Sequence, residues 1–505
     1  MEKIETVFTK ADTAFSFAML VCGFLYFNLI NLFTLGAGIT VFALVVCAVS
    51  FLYMQKSGVR QNAGSLLCLG LLVLSAAQFS LFDDPFIKSL NFMFLSVLFI
   101  YWICLSTGRR LDNKLSAYII GDAIKQGIVM PFSNFGCCFS GLKQPFLKQK
   151  KGKSLLAALL WILIFMPLLL AVTGLLISAD PAFENFAGWF FDIISFDKVA
   201  PYISQFILGI PVAFYLYGSI YGNVKGRHSE RFTKETADNG ARAVRIAPKL
   251  TIYSALACFC IIYLAFFAVQ AVYLFSAFGG SLPEAFTYAE YARRGFFELC
   301  AVAGINLAVL LISRLTIKRE AYEAPKVLRA GMLAVSLFTI MLIATALSKM
   351  AMYIEVYGLT QPRLFTSWFM VLLLLVFVLI SARQFKRFNS AKAMIIGFVI
   401  MFMVLLYGNS DGFIAKYNIG RYEAGTLKTL DIYALYELSD AAVPYAYEFY
   451  LRSGDNDMRQ ELEKYLFHRN YRMAEAGDMN KDFRNFNLQR AKADEVRARL
   501  SDGDV

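Results

Sequence analysis

The sequence predicts an all-α fold, a polytopic transmembrane helix bundle of about eleven spans with its N-terminus inside and a small helical extracytoplasmic C-terminal region. Three observations predict it. Of the 505 residues, 58% are hydrophobic and 17% charged, with a mean hydropathy of +0.55, whereas soluble domains run near a quarter charged. The apolar residues gather in runs of about 18 to 25, long enough to cross about 30 Å of hydrocarbon. Lys and Arg alternate from one side of those runs to the other, as orientation signals do.

The first run, Thr13 to Phe33, is too long for the apolar region of a signal peptide and lacks a small-residue cleavage site after it, so it reads as a span. Further runs lie near 37–54, 63–82, 86–107, 155–178, 201–222, 250–278, 295–313, 327–348, 364–381 and 391–408. Leu35 and Gly36 break the first pair. With the N-terminus inside, inner segments hold 29 of the 49 basic residues, outer loops hold six and the chain after 409 holds 14. The outer loops carry ten acids, so they are negative and the inner ones basic. An odd number of crossings places the C-terminal region outside.

Two domains are therefore expected: a transmembrane domain over 1–409 and a soluble helical region over 410–505, the latter with 17 acids and 14 bases. Apolar residues recur at helical spacing in DIYALYELSDAAVPYAYEFYLRSG, where Asp440 is a candidate cap for a helix starting at Ala441, carrying Pro444 in its first turn and ending at Gly454. Further helices fit Met458 to Arg469 and Leu488 to Leu500.

Several chemistries find no footing. The nine cysteines form no CxxC pair and only His228 and His468 accompany them, so metal-ligand spacing is missing and the cysteines read as small apolar fillers. Nucleophile and base pairs, phosphate loops and HExxH are not recognisable, which leaves no catalytic residue, no metal and no cofactor to assign. A net charge of +12 without a nucleic-acid module points to the membrane surface and not to nucleic acid. The cluster Lys143, Lys148, Lys150, Lys151 and Lys153 beside a span suits anionic lipid head groups, at about 1 kcal/mol per basic residue. Lipid bilayer and an unknown protein are the partners this pattern allows.

One stretch carries chemistry that can be weighed. Ser281 to Glu284, SLPE, is a capping box that opens a helix, and Glu290, Arg294 and Glu298 follow at i, i+4 and i+8 with Arg293 alongside. Glu298 lies three residues inside the apolar run, about 4.5 Å deep at 1.5 Å per residue, which is the interface and not the bilayer centre. On the bland reading this is a charged helix end. The sharper reading joins these groups to Lys349, Glu355, Arg363, Asn409 and Asp411, all expected on the outer side, in a polar pocket open to the outside. No Asp, Glu, His, Lys or Arg lies near the middle of a span, as proton pumps and many ion-coupled carriers require. Asn28, Gln78, Gln205, Gln270 and Asn306 do lie in spans, where amides commonly hold helices together.

Five passages carry a family resemblance: TYAEYARRGFFEL at 287–299, MAMYIEVYGLTQPRLFTSWFM at 350–370, NSDGFIAKYNIGRY at 409–422, LSDAAVP at 438–444 and FRNFNLQRAKA at 483–493. Together they resemble the bacterial membrane family catalogued as domain of unknown function number 4173, related to that numbered 4153. The resemblance is specific over roughly 280–493 and general in character over the apolar first half. It implies a multi-pass protein of the bacterial cytoplasmic membrane and brings no activity, cofactor or catalytic residue. Two function classes follow from the sequence. One is a non-enzymatic membrane scaffold or signalling accessory with an outer helical tail, and the other is a small-molecule or lipid transporter, or membrane-embedded enzyme, using the outer pocket.

Overall fold

The computed structural model describes residues 8–147, 196–279, 296–318, 325–475 and 482–501, with scattered positions between 165 and 183. The predicted span at 155–178 falls largely outside these residues, and the Ser281 to Glu284 capping box falls wholly outside them. The described chain is all-helical, and ten of its helices are long and apolar enough to cross a membrane.

Polar residues at the ends of the apolar runs set where the helices begin and stop. Thr9 and Asp12 form a reciprocal capping box that starts α1 (Lys10–Leu29), and Asn62 and Ser65 do the same for α3 (Ala63–Leu81). Between them α2 spans Ala37–Lys56. Asp84 caps α4 (Pro85–Thr107), with proline in the first turn where its missing N–H costs nothing, and Gly108 ends that helix at φ 67.

The stretch from Arg109 to Lys153, expected as a basic inner loop, instead folds in large part. Its helices are α5 (Ile119–Ile124), a π turn over Lys125–Val129, α6 (Met130–Ser133) and α7 (Phe135–Leu147). Of these, α6 and α7 pack on α8 (Phe196–Lys225), with Met130 and Cys138 fully buried, while α5 and the π turn lie against α4. Gly218 permits this approach, since a Cβ there would stand 2.4 Å from the Pro131 carbonyl oxygen. At the crossing of α1 and α8, a Cβ on Gly23 would meet the Gly209 carbonyl oxygen at 2.2 Å, so only small residues let these backbones meet. Helices α1 to α4, α7 and α8 enclose one apolar core around Met19, Met54, Phe79, Trp102 and Tyr217.

After the short α9 (Lys234–Ala243), a second core lies among α10 (Lys249–Gly279), α11 (Phe296–Thr316), α12 (Lys326–Tyr357) and α13 (Gln361–Phe385). α12 has 32 residues, about 48 Å, which exceeds the hydrocarbon thickness of about 30 Å. α14 (Ser390–Tyr407) joins α4 and α13 through Phe402 and Leu406.

Beyond it α15 (Ser410–Glu423), α16 (Tyr433–Tyr436), α17 (Val443–Arg452), α18 (Asn456–Glu475) and α19 (Leu488–Ser501) share a core of their own that includes Leu359 from the α12–α13 turn. The expected cap at Asp440 is not made. A 3-10 turn, Asp440–Ala442, precedes α17, and the Asp440 carboxylate turns to Arg490 and Arg497.

Candidate functional site

The functional groups gather where the C-terminal helices meet the bundle. The turn from α3 to α4 is only Phe82, Asp83 and Asp84, so two consecutive carboxylates stand at the helix ends. A second sharp turn lies between α14 and α15, where Asn409 takes a left-handed conformation (φ 46), one that Asn tolerates better than most residues. It sets Ser410 and Asp411 against Asp84, and Ser410 Oγ donates to Asp84 Oδ2 at 2.9 Å.

From α19 and the segment before it, Asn487 Nδ2 donates to Asp83 Oδ1 (2.7 Å), and Gln489 accepts from the Asp83 amide (2.8 Å) while donating to Asn409 Oδ1 (2.6 Å). Arg490 pairs with Asp83 at 3.0 Å, and Lys88, on the first turn of α4, pairs with the same carboxylate at 3.2 Å. The lattice continues through Asp440, 3.6 Å from Arg490 Nε and 2.6 Å from Arg497, and ends with Asp494, 2.8 Å from Arg497. Lys88, Asp440 and Arg497 are 1%, 1% and 3% exposed. Charges so buried persist only as satisfied partners, and removing one member of such a pair costs about 3 to 5 kcal/mol. Burial disfavours the Arg497 cation, but Asp440 and Asp494 more than offset it and raise its pKa. A polar cleft of about 190 Å³ opens beside the lattice, between Leu32, Thr34, Asp83, Lys88, Asp440 and Arg490.

The clasp extends to the first hairpin. Thr34 Oγ1 and Asn31 Nδ2 donate to Asn485 Oδ1, the Ala37 amide donates to the Phe486 carbonyl at 3.0 Å, and Arg484 donates to the Asn28 carbonyl at 2.8 Å. Asn418 of α15 pairs with the backbone of Leu359 through both its amide atoms, each at 2.7 Å, much as a neighbouring strand would.

Of the residues expected in an outer pocket, Glu290, Arg293 and Arg294 lie outside the described residues. Glu298 on α11 and Lys349 on α12 interact electrostatically. Glu355 is exposed near the end of α12. Arg363 stacks over Tyr353 at 4.2 Å and donates to the Tyr357 and Gly358 carbonyls, closing the C-terminus of α12. Asn409 and Asp411 belong to the junction described above, where Asp411 accepts from Gln361 Nε2 (2.6 Å) and the Ser439 amide (2.8 Å). Sequence reading missed the centre of this site. Asp83, Asp84 and Lys88 count there only as outer-loop charges, and Asn487, Gln489 and Arg490 look like an ordinary soluble helix.

A second buried cluster lies at the opposite end of α1. Asp12 accepts from Tyr53 OH (2.7 Å) and the Thr9 amide (2.9 Å) and pairs with Lys225 at 3.0 Å. Span amides link helices: Asn28 to Gln205 at 3.1 Å, Asn91 to Gln78 at 2.9 Å, and Asn306 to Thr339 at 2.8 Å. Among the described residues no group of three or more His, Cys, Asp or Glu side chains could hold a metal ion.

Residues 66–449 match the family model described as Domain of unknown function (DUF4153). The chain belongs to that family. The sequence resemblance had pointed to its relative numbered 4173, and the match corrects the number while keeping a family without assigned activity. It also corrects the extent, because the DUF4153 match takes in most of the apolar first half and stops before FRNFNLQRAKA. Generic apolar helices lack the distinctive residues by which a single sequence is recognised, so the first half carries little family signal of its own. No curated protein and no solved structure matches this DUF4153 member.

Proposed function

We propose that the chain is a non-enzymatic membrane scaffold or signalling accessory of the bacterial cytoplasmic membrane, whose C-terminal helices present a partner surface on the outer side. The ion lattice of Asp83, Lys88, Arg490, Asp440 and Arg497 carries this reading, because the charges buried at the junction hold helices to the bundle. A platform so anchored can transmit force or position across the membrane. Its exposed apolar residues include Tyr433 and Leu451, at 78% and 47%. On the inner side, Lys143, seated 4.9 Å over the Phe139 ring, would meet anionic head groups together with Lys148, Lys150, Lys151 and Lys153.

Orientation is tested by labelling intact cells with a membrane-impermeant maleimide. Asp457→Cys, at an exposed position of α18, is expected to react, and Glu235→Cys, at an exposed position of α9, is expected to react only after lysis. The opposite pattern overturns the N-inside arrangement. For the scaffold itself, the double variant Tyr433→Glu, Leu451→Glu is expected to unfold like the wild type yet lose proteins cross-linked to it in native membranes. Identical cross-linked sets from both would count against the platform.

A second reading, a carrier or embedded enzyme acting on a lipid or small molecule, draws on an apolar cavity of about 590 Å³ between α1 to α4, α6, α7 and α8. Ile39, Val46, Phe92, Phe99, Phe135 and Tyr215 line it, and its size is that of a ligand site. Ser96→Trp, at its wall, would fill it, and this reading expects lipid to be lost from the purified protein.

A further inference from the structure

Asp84 caps α4 and Asp411 sits in the first turn of α15, brought together from positions more than 300 residues apart. They are 5% and 1% exposed. Both oxygens of each carboxylate are engaged, Asp84 by the Ile87 amide (3.0 Å) and Ser410 Oγ (2.9 Å), Asp411 by Gln361 Nε2 (2.6 Å) and the Ser439 amide (2.8 Å). All of these donors are neutral.

The cations of the junction are committed elsewhere. Lys88 and Arg490 hold Asp83, and Arg490 and Arg497 hold Asp440. Among the described residues neither Asp84 nor Asp411 forms an ion pair. From α3, α13 and the α14–α15 turn the facing groups are Gln78, Gln361 and Asn409, which carry no charge. On α4 Lys88 feels the charge of Asp84, but its ion pair is with Asp83. A buried carboxylate beside a second one, with no cation of its own, is disfavoured in its charged form.

A void of about 10 Å³ adjoins the pair, lined by Gln78, Asn409, Ser439 and Gln489, and it matches the space one water needs. Two buried polar atoms on its walls, Gln78 Nε2 and Ser439 Oγ, have no hydrogen-bond partner among the described residues. Because Gln78 Oε1 accepts from Asn91, Nε2 is the end left for the void.

We propose that Asp84, buried at the seam beside Asp411, is a proton-binding site, which takes one proton from solvent next to a single buried water. The water accepts from Gln78 Nε2 and donates to a carboxylate oxygen. With the proton, the pair carries one negative charge. Without it, two like charges face each other across the seam between α4 and α15, and the seam weakens. Burial, followed by the charge of Asp411, raises the Asp84 carboxyl to about 6, against the opposing hydrogen bonds from Ile87 and Ser410. The site makes docking of the C-terminal helices sensitive to the pH at that face of the membrane, whatever partner those helices serve.

The test uses the full chain in lipid nanodiscs, with infrared absorption of protonated carboxyl groups followed in isotope-labelled aspartate. One buried carboxyl is expected to titrate with a midpoint at about pH 6. Asp84→Asn should abolish that signal, and Asp411→Asn should lower its midpoint by removing the like charge. No titrating carboxyl between about pH 4.5 and 7.5, or the same midpoint in both variants, overturns the proposal. Amide exchange at Ile87 and Ser439 in the wild type covers the case in which a variant fails to fold. Corrected for intrinsic rates, protection should fall at least about tenfold from pH 5 to pH 7.5. Unchanged protection overturns the site.

Discussion

The two buried charge clusters at opposite ends of α1 are built to different rules. Asp12 takes its partners from α2 and α8, within one bundle, and its cation Lys225 is a third exposed, so water shares the pair. The junction draws on α4, α15, the 3-10 turn before α17, and α19, and both members of the Asp440–Arg497 pair are buried. A pair with one wet end loses less when cut, because the cation left behind can turn to water. A dry lattice joining distant segments fixes their relation, because no member can leave without stranding another.

Arg497→Ala should give the largest effect, about 3 to 5 kcal/mol of destabilisation from the buried charge left at Asp440. Denaturant unfolding and protease release of the C-terminal helices would report it. A loss of about 1 to 3 kcal/mol would place the junction in the same class as the Asp12 cluster. Next comes pH. The Asp84 carboxyl is raised from 3.8 to about 6 on folding, so its contribution is full below the unfolded value and is lost as pH rises through about 6. That corresponds to about 3 kcal/mol at the seam, and Asp84→Asn should flatten the pH profile of unfolding.

Asp12→Asn should cost less, about 1 to 3 kcal/mol, since Lys225 can turn to water and Tyr53 keeps an acceptor. Smallest is Glu298→Gln, under about 1 kcal/mol, as expected of an exposed charge. The charge swap Glu298→Lys with Lys349→Glu should fold better than either single variant if the two groups pair directly. If it does not, their interaction is a diffuse field with no direct contact.

The helices were legible because a span must be apolar for its whole length, and the ten described spans fall on predicted runs. The stretch from Ile119 to Leu147 was not legible, since it is broken into short pieces by Gly127, Pro131 and Gly136 and shows no long run. At the junction the types were readable and the pairings were not. Asp84 before Pro85 is a visible helix start, but nothing local in the sequence says that Asp83 meets Arg490, or that Ser410 reaches Asp84. Asp440 looked like a helix cap because capping is a local rule, and a buried arginine 57 positions away took its carboxylate instead.

The hydrogen bond between Thr34 and Asn485 spans 451 positions of sequence. A ribosome adding about 5 to 20 residues per second finishes the second residue roughly 20 to 90 s after the first. For that interval the α1–α2 hairpin waits without Asn485, and Asp83 on the α3–α4 turn waits without Asn487 and Arg490. Assembly of this membrane protein therefore closes on a segment made late, and a product stalled before it leaves polar groups unmatched at the α1–α2 and α3–α4 turns.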